Sequence, residues 1–333
     1  MPKHLFLSTL MTFFLLCFHL IIPTVLISQE APNKNMIRLR LPLWILNRSI
    51  PIDPKFDENA LSLLFDSKKI NVTKQAKPGN PTLIFLALDL VGNPTISKTT
   101  KLALSYQIQQ MPSDYWVCLI SAQEDIAVIQ SPTNNKQLLQ NKLDSTNQIG
   151  KAGLLESFQA LMDLSSSVLN QSNIRVIVLL VTDSDAKNYR DDYENPTINE
   201  SDGQDLSRRF VGRKLQEDIG RLSKIILTFI APLVVVHVDP EDDDLNLIYR
   251  RGLSQLTKTV GGHILVSKSV GDIPDTFEEA FDWINKSFVI DFMVPKEEKR
   301  GPFRIKIELK SSVKSSVNLR YPQRLILPGE LKK

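Results

Sequence analysis

The sequence predicts an α/β protein: a doubly wound, mostly parallel sheet inserted in a small β domain built from both flanks of the chain. Three observations predict it. Between Pro81 and Gly262 apolar runs alternate with helical patterns, the order that yields parallel strands covered by helices. The run Leu83-Ile84-Phe85-Leu86-Ala87-Leu88 is continuous rather than alternating, as a strand buried on both faces is. Both ends of the chain carry apolar residues at period two, in residues 37–47 and 288–294, the pattern of half-buried strands.

Taken in order, the first core strand is followed by a helix expected over residues 97–110 and a strand over 115–120. Only Gln123-Glu124-Asp125 separates that strand from the next, at 126–129, so the two form an antiparallel hairpin. Helices near 134–143 and 154–169 precede a strand at 176–181, and a further helix ends at about residue 222. Residues 225–230 fit either an extension of that helix or a new strand. Residues 233–238 read as strand, 245–260 as helix and 263–266 as the last strand. In the flanks, 37–47 alternates Arg with Leu and Ile and reads as an edge strand, and 61–73 reads as a strand pair around Asp66-Ser67-Lys68-Lys69. Segments 288–294, 303–309 and 317–321 supply strands at the other end. The expected division is therefore an N-terminal β segment over 37–80, an α/β domain over 81–285 and a C-terminal β segment over 286–325 that pairs with the first.

Residues 5–28 carry no formal charge and are rich in Leu, Phe and Ile. The run exceeds the roughly 7–15 residues of a signal h-region and approaches the roughly 20 of a spanning helix. Residues 1–29 are therefore a signal peptide or a membrane anchor, and the body is expected in the periplasm, cell envelope or extracellular space. Lys+Arg 40 against Asp+Glu 37 gives +3 over 333 residues, with no basic run to follow a nucleic-acid backbone. Nucleic acid is not an expected partner, and a membrane is expected only through the N-terminal segment. Cys17 lies in the apolar run and Cys118 is the only other cysteine, which excludes a disulfide within the body.

Three motifs point to a family. Leu88-Asp89-Leu90-Val91-Gly92-Asn93 ends the leading strand, Val181-Thr182-Asp183-Ser184-Asp185 ends a later one, and Leu256-Thr257-Lys258-Thr259-Val260-Gly261-Gly262 precedes the last. In this order they resemble the D-x-S-x-S, T-D-G/S and L-x-x-x-T-G-G motifs of the von Willebrand factor A (VWA) fold. The flanks, through Leu61-Ser62-Leu63-Leu64-Phe65-Asp66-Ser67 and Arg320-Tyr321, resemble the exported "VWFA-related" proteins typical of Acidobacteria. The resemblance spans about residues 37–325 and implies a divalent-cation site at the carboxyl edge of the sheet. Asp89 and Asp183 match its two acids and Asn93 its second serine, while Val91 stands where the first serine would offer oxygen. The threonine loop corresponds to Gln148-Ile149-Gly150-Lys151-Ala152-Gly153. Hard cations need several oxygen ligands, so the site implied by the resemblance is degenerate. No cofactor is expected, with Mg or Ca the one alternative.

Two readings of Lys151 stand: its ammonium replaces the cation between Asp89 and Asp183, or it points into water. Asp89 and Asp183 have a plainer reading too, each capping the helix that follows its strand. Asp185, Asp191, Asp192, Glu194 and Asp202 after one strand, and Asp239, Glu241, Asp242, Asp243 and Asp244 after another, form either solvated loops or an acidic interaction edge. His237 and His263 lack partners at metal spacing and read as structural.

The leading function is an exported, non-catalytic protein–protein interaction module for adhesion or assembly, with an unknown protein partner. A phosphoryl-transfer hydrolase with Asp89 as nucleophile is one alternative, weakened by Val91 two residues on, where a second acid is usual. A structural envelope assembly factor acting through the β flanks is the other.

Overall fold

The computed structural model describes residues 36–53, 61–91, 93–123, 126–146, 153–186, 211–238, 243–296, 301–309 and 317–327. The first part of the chain forms β1 (Met36–Asn47), β2 (Ile50–Ile52), β3 (Leu61–Phe65), β4 (Lys68–Ile70) and β5 (Val72–Ala76). Then come β6 (Thr82–Asp89), α1 (Pro94–Gln110), β7 (Tyr115–Ser121), β8 (Ala127–Thr133), α2 (Lys136–Ser145), α3 (Leu154–Gln171) and β9 (Arg175–Thr182). The remainder is α4 (Val211–Ile225), β10 (Leu233–Val238), α5 (Asp244–Thr259), β11 (His263–Ser267), α6 (Ile273–Asn285), β12 (Phe288–Pro295), β13 (Phe303–Leu309), β14 (Val317–Arg320) and β15 (Arg324–Leu325). Residues 225–230 are resolved in favour of the helix, since Ile226–Thr228 adds one 3₁₀ turn to α4.

The central sheet has the order β11-β10-β9-β6-β7-β8. All its strands are parallel except β8, which pairs antiparallel with β7. The unbroken apolar run of β6 serves two cores. Leu83, Phe85 and Ala87 pack with Leu154, Phe158, Leu215 and Leu253 on one face. Ile84, Leu86 and Leu88 pack with Ile96, Leu104, Phe277 and Ile284 on the other. Alternate side chains of a strand point to opposite faces, so a strand covered by helices twice must be apolar throughout. After β8 the chain returns to lay β9 on the free side of β6, so the strand order reverses there. The carboxyl ends of β6 and β9 thus bound the crevice where open α/β sheets bind ligands.

The flanks meet as the period-two patterns predict. One sheet has the order β14-β1-β12-β5, with β2 also paired to β1, and a second has the order β15-β13-β3-β4. Both sheets combine strands from the two ends of the chain. In the β3–β4 turn Asp66 and Ser67 have φ of 48° and 72°, the left-handed pair that a two-residue hairpin requires. The apolar faces of these sheets join the α/β body in one core: Leu39, Leu41, Leu43, Phe65 and Phe303 cluster with Leu83 and Phe85.

One expectation is corrected. β1 is not an edge strand; it lies between β14 and β12. The arginines in its alternating pattern have buried work to do. Arg40, 1% exposed, donates from Nε to Asp291 Oδ1 at 2.9 Å and from Nη1 to the carbonyls of Leu169, Ser172 and Ile174 at 2.6–2.9 Å. Arg38 binds the other oxygen of Asp291. Elsewhere at this end of the sheet, buried Arg175 donates to the carbonyls of Ile284 and Ser287 at 3.2 and 2.9 Å and to the Tyr115 hydroxyl at 2.6 Å.

The Gly261-Gly262 turn before β11 is sterically obligatory. Gly261 has φ +75°, and a Cβ on Gly262 would lie 1.8 Å from the Leu233 carbonyl oxygen. Cys118 is buried, and burial pushes its thiol pKa up. Residues 1–29, including Cys17, lie outside the described residues. Among the described residues no helix is long and apolar enough to cross a membrane.

Candidate functional site

The site is the carboxyl edge of the central sheet, where β6 and β9 end side by side. Asp89 is the last residue of β6 and stands in register with Thr182, the last of β9. The Asp89 side chain is fully buried. Its Oδ2 accepts from the Thr182 hydroxyl at 2.8 Å and its Oδ1 from the Gly153 N–H at 3.3 Å. Burial raises the Asp89 pKa to about 7; the hydroxyls of Ser184 and Thr182 and the Gly153 N–H oppose the shift, and Asp183 adds slightly to it.

Asp183 is 7% exposed and faces the loop after β6. Its Oδ1 accepts from the Val91 N–H at 2.7 Å and its Oδ2 from the Asn93 N–H at 3.4 Å. Its own N–H donates to the Asp89 carbonyl at 3.1 Å. Asn93 is the N-cap of α1, with its Oδ1 accepting from the Thr95 N–H at 2.9 Å. Val91 contributes only its backbone to this arrangement.

These contacts revise the capping expectation for Asp89; for Asp183, the residues that follow Ala186 lie outside the described residues. The helix after β6 is capped by Asn93, and Asp89 accepts instead from Gly153, the N-cap residue of α3. Asp183, at the end of β9, accepts from the N-cap residue of α1, the helix that follows β6. Each carboxylate therefore sits against the N-terminus of a helix other than the one that follows its own strand. A helix N-terminus presents free N–H groups and the positive end of its dipole.

The neighbouring loops are tied to the same edge. The Gln123 side chain donates to the Leu90 carbonyl at 3.1 Å, and the Ser157 hydroxyl donates to the Ala122 carbonyl at 3.1 Å. Asn246 on α5 accepts from the Ala186 N–H at 2.7 Å and so joins the loop after β9 to the start of α5. Asp243 is the N-cap of α5: its Oδ1 accepts from the Asn246 N–H and its Oδ2 from the Asn246 side-chain amide, both at 2.8 Å. His237 on β10 is buried and its Nε2 meets the Ser184 carbonyl at 3.0 Å. Burial lowers its pKa to about 4, Arg250 lowers it further and the Ser184 carbonyl opposes. His263, on the edge strand β11, stacks on Trp283 at 4.1 Å, and its Nδ1 lies 2.6 Å from the Arg320 guanidinium.

The structure thus brings together Asp89, Asn93 and Asp183, with Asp185 buried in the next loop and Asp243 and Asp244 exposed at the start of α5. Lys151, Asp191, Asp192, Glu194, Asp202, Asp239, Glu241 and Asp242 lie outside the described residues. Thr182, Gly153 and Asn246 are site residues that the motifs did not single out. Thr182 stood in the quoted Thr182-Asp183 pair, and Asn246 follows Asp243 at the three-residue spacing of a helix cap. Among the described residues, no cluster of three or more His, Cys, Asp or Glu side chains is grouped to hold a metal ion.

No family model matches the chain, and no curated protein matches it either. Among solved structures it is similar to von Willebrand factor type A from Catenulispora acidiphila, at 8% identity and a TM-score of 0.38, covering 91% of this chain and 76% of that one. The PilB minor pilin from Streptococcus sanguinis gives 11% identity and a TM-score of 0.44, covering 62% of each chain. Proximal thread matrix protein 1 from the mussel byssus gives 10% identity and a TM-score of 0.41, with 64% of this chain covered. The chain spans about half, 50%, of that mussel protein. The likeness is one of architecture and carries no argument about activity.

Proposed function

We propose that this chain is an exported, non-catalytic protein–protein interaction module of the von Willebrand factor A type, acting in adhesion or assembly at the cell envelope. One observation carries the reading: the two acids that chemistry would need are spent on holding loops. Asp89 is fully buried, and a nucleophile has to reach its substrate. Asp183 is engaged by two backbone N–H groups. Among the described residues, this edge carries hydrogen-bonded loop ends with Asp243 and Asp244 exposed beside them. An acidic surface of this kind suits a basic protein partner, whose approach it would steer. The flanks resemble those of the exported VWFA-related proteins, and the apolar residues 5–28 supply the export signal or tether.

Capture of envelope proteins by the full chain tests this. A bound partner is expected at low salt, with capture weakened by salt through screening and weakened in the Asp242→Asn, Asp243→Asn, Asp244→Asn triple variant. Capture that is indifferent to both returns the acidic segments to solvated connections. Hydrolysis of a phosphate ester that is lost in Asp89→Asn would replace the reading with the enzymatic one.

A further inference from the structure

We infer that this edge is held by hydrogen bonds in the place where the resembled fold uses a divalent cation, so that its loops keep one geometry whether or not a cation is supplied. The inference goes beyond the interaction reading, since either can fail without the other.

A hard divalent cation needs six or more oxygens, from protein, ligand or water. The loop after β6 supplies Asp89, Val91 and Asn93 at the resembled ligand positions. Val91 has no side-chain oxygen. The Asn93 carbonyl oxygen faces its own helix, accepting from Thr95, and turning it toward a metal would uncap α1. At the two acids of the resembled site, all four carboxylate oxygens accept hydrogen bonds from the chain: Gly153 and Thr182 on Asp89, Val91 and Asn93 on Asp183.

The direction of these bonds matters as much as their number. A cation beside Asp183 is useful because it brings positive charge to a carboxylate and ties that carboxylate to the loop after β6. Here the Val91 and Asn93 N–H groups do both. They are partial positive charges carried by the loop itself, and a cation drawn to the same two oxygens would face them from the front. The bond from Asp183 N–H to the Asp89 carbonyl, at 3.1 Å, closes the link between the two strand ends. Asp183 thus fastens Val91 and Asn93 to the end of β9, and its role is one of positioning.

The test follows the lock and the cation separately, on the full purified chain. Amide hydrogen exchange at Val91 and Asn93 reads the lock. We expect both amides to be protected in chelator and equally protected in millimolar Mg²⁺, Mn²⁺ or Ca²⁺. In Asp183→Asn, which keeps the shape of the side chain and loses its charge and one acceptor, protection at Asn93 should fall, because an amide nitrogen in place of Oδ2 cannot accept from that N–H. Thermal unfolding reads the cation. A ligand stabilises only as its concentration exceeds its dissociation constant, so the wild-type midpoint should move by less than about 1 °C between chelator and cation. The Asp183→Asn midpoint should fall by several degrees, by the same amount in both.

Free exchange of the Val91 and Asn93 amides in chelator would overturn the inference, as would a cation-induced midpoint rise in the wild type that Asp183→Asn abolishes. Asp183→Ala serves as a second variant: unchanged protection at Val91 in that background would show that the carboxylate does not hold the loop.

Discussion

The two ends of the central sheet bury opposite charges, and each end matches its charge to the backbone groups available there. At the amino end Arg40 and Arg175 are buried among carbonyls where helices finish: Arg40 takes those of Leu169 and Ser172 beside the end of α3, and Arg175 takes that of Ile284 at the end of α6. At the carboxyl end Asp89 and Asp183 are buried against the N–H groups that open α3 and α1. In a parallel βαβ layout every helix runs back against the sheet, so helix C-termini collect at one edge and N-termini at the other. The helix dipole then makes one edge welcome cations and the other anions. The difference is in counter-charge. Arg40 has Asp291, with Nε to Oδ1 at 2.9 Å, whereas among the described residues Asp89 accepts from neutral donors, the Thr182 hydroxyl and the Gly153 N–H, and its pKa rises to about 7.

The largest effect expected from this comparison comes from breaking the arginine end. Asp291→Ala would leave Arg40 buried with carbonyl partners and no counter-charge. Removing one partner of a buried pair costs about 3–5 kcal/mol, a large part of the stability of a typical domain. Chemical denaturation should show a loss of that size, or the variant should fail to accumulate in folded form. A loss under about 1 kcal/mol would mean that the carbonyls alone satisfy Arg40, and the two ends would then be alike in needing no counter-charge.

A second effect, of about 3 kcal/mol, belongs to the carboxyl end and depends on pH. His237 has a folded pKa near 4 against 6.5 for the free side chain, so the unfolded chain binds its proton first. Its contribution is fully present above pH 6.5 and is lost as the pH falls toward 4. A gap of about 2.5 pH units corresponds to roughly 3 kcal/mol at full protonation. Carboxylates titrate in the same window, so the measurement is a difference: the stability of wild type minus that of His237→Gln, followed from about pH 7 to about pH 4, should fall steadily. A flat difference would show that the folded state accepts the His237 proton as readily as the unfolded one.

The comparison also marks what the sequence made legible. The continuous run of β6, the hairpin of β7 with β8 and the Gly261-Gly262 turn follow from local pattern, because each is a local steric or burial requirement. The placement of Asp89 and Asp183 at one edge follows from strand order. What they do there was not legible, because their partners Gly153, Thr182, Val91 and Asn93 come from separate segments of the chain, and only the folded geometry says which N–H meets which oxygen. β1 was misread as an edge strand for a related reason. The alternation of arginine with Leu and Ile suits an edge strand, while the partners of Arg40, Asp291 and the carbonyls at the end of α3, lie more than a hundred residues away in the chain. An arginine inside an apolar strand, as at Arg40 or at the head of β9, is itself the signal that a distant buried acceptor set exists.

Smaller by a further step is the cap that shapes the carboxyl end. Asn93→Ala removes the side-chain acceptor of the Thr95 N–H and should cost about 1 kcal/mol. It leaves the backbone N–H of residue 93 free to donate to Asp183, so amide protection at Val91 should persist. Loss of that protection would show that the cap and the Asp183 contacts form one unit and not two.

The smallest effect expected separates structure from surface within the acidic segment. Asp243 caps α5 with both oxygens, while Asp244, the first residue of that helix, is exposed. Asn caps about as well as Asp, so Asp243→Asn should cost no more than a few tenths of a kcal/mol, whereas Asp243→Ala should cost about 1 kcal/mol. For Asp244→Asn two small terms oppose: a negative charge in the first turn favours the helix by about 0.3–1 kcal/mol, and removing it relieves repulsion from the neighbouring acids. The net change should lie within about 0.5 kcal/mol of zero and shrink further in salt. If Asp243→Asn proves as costly as Asp243→Ala, the charge and not the cap geometry matters at this position. The acidic character of this edge would then be part of how the fold is held, rather than a surface left free for a partner.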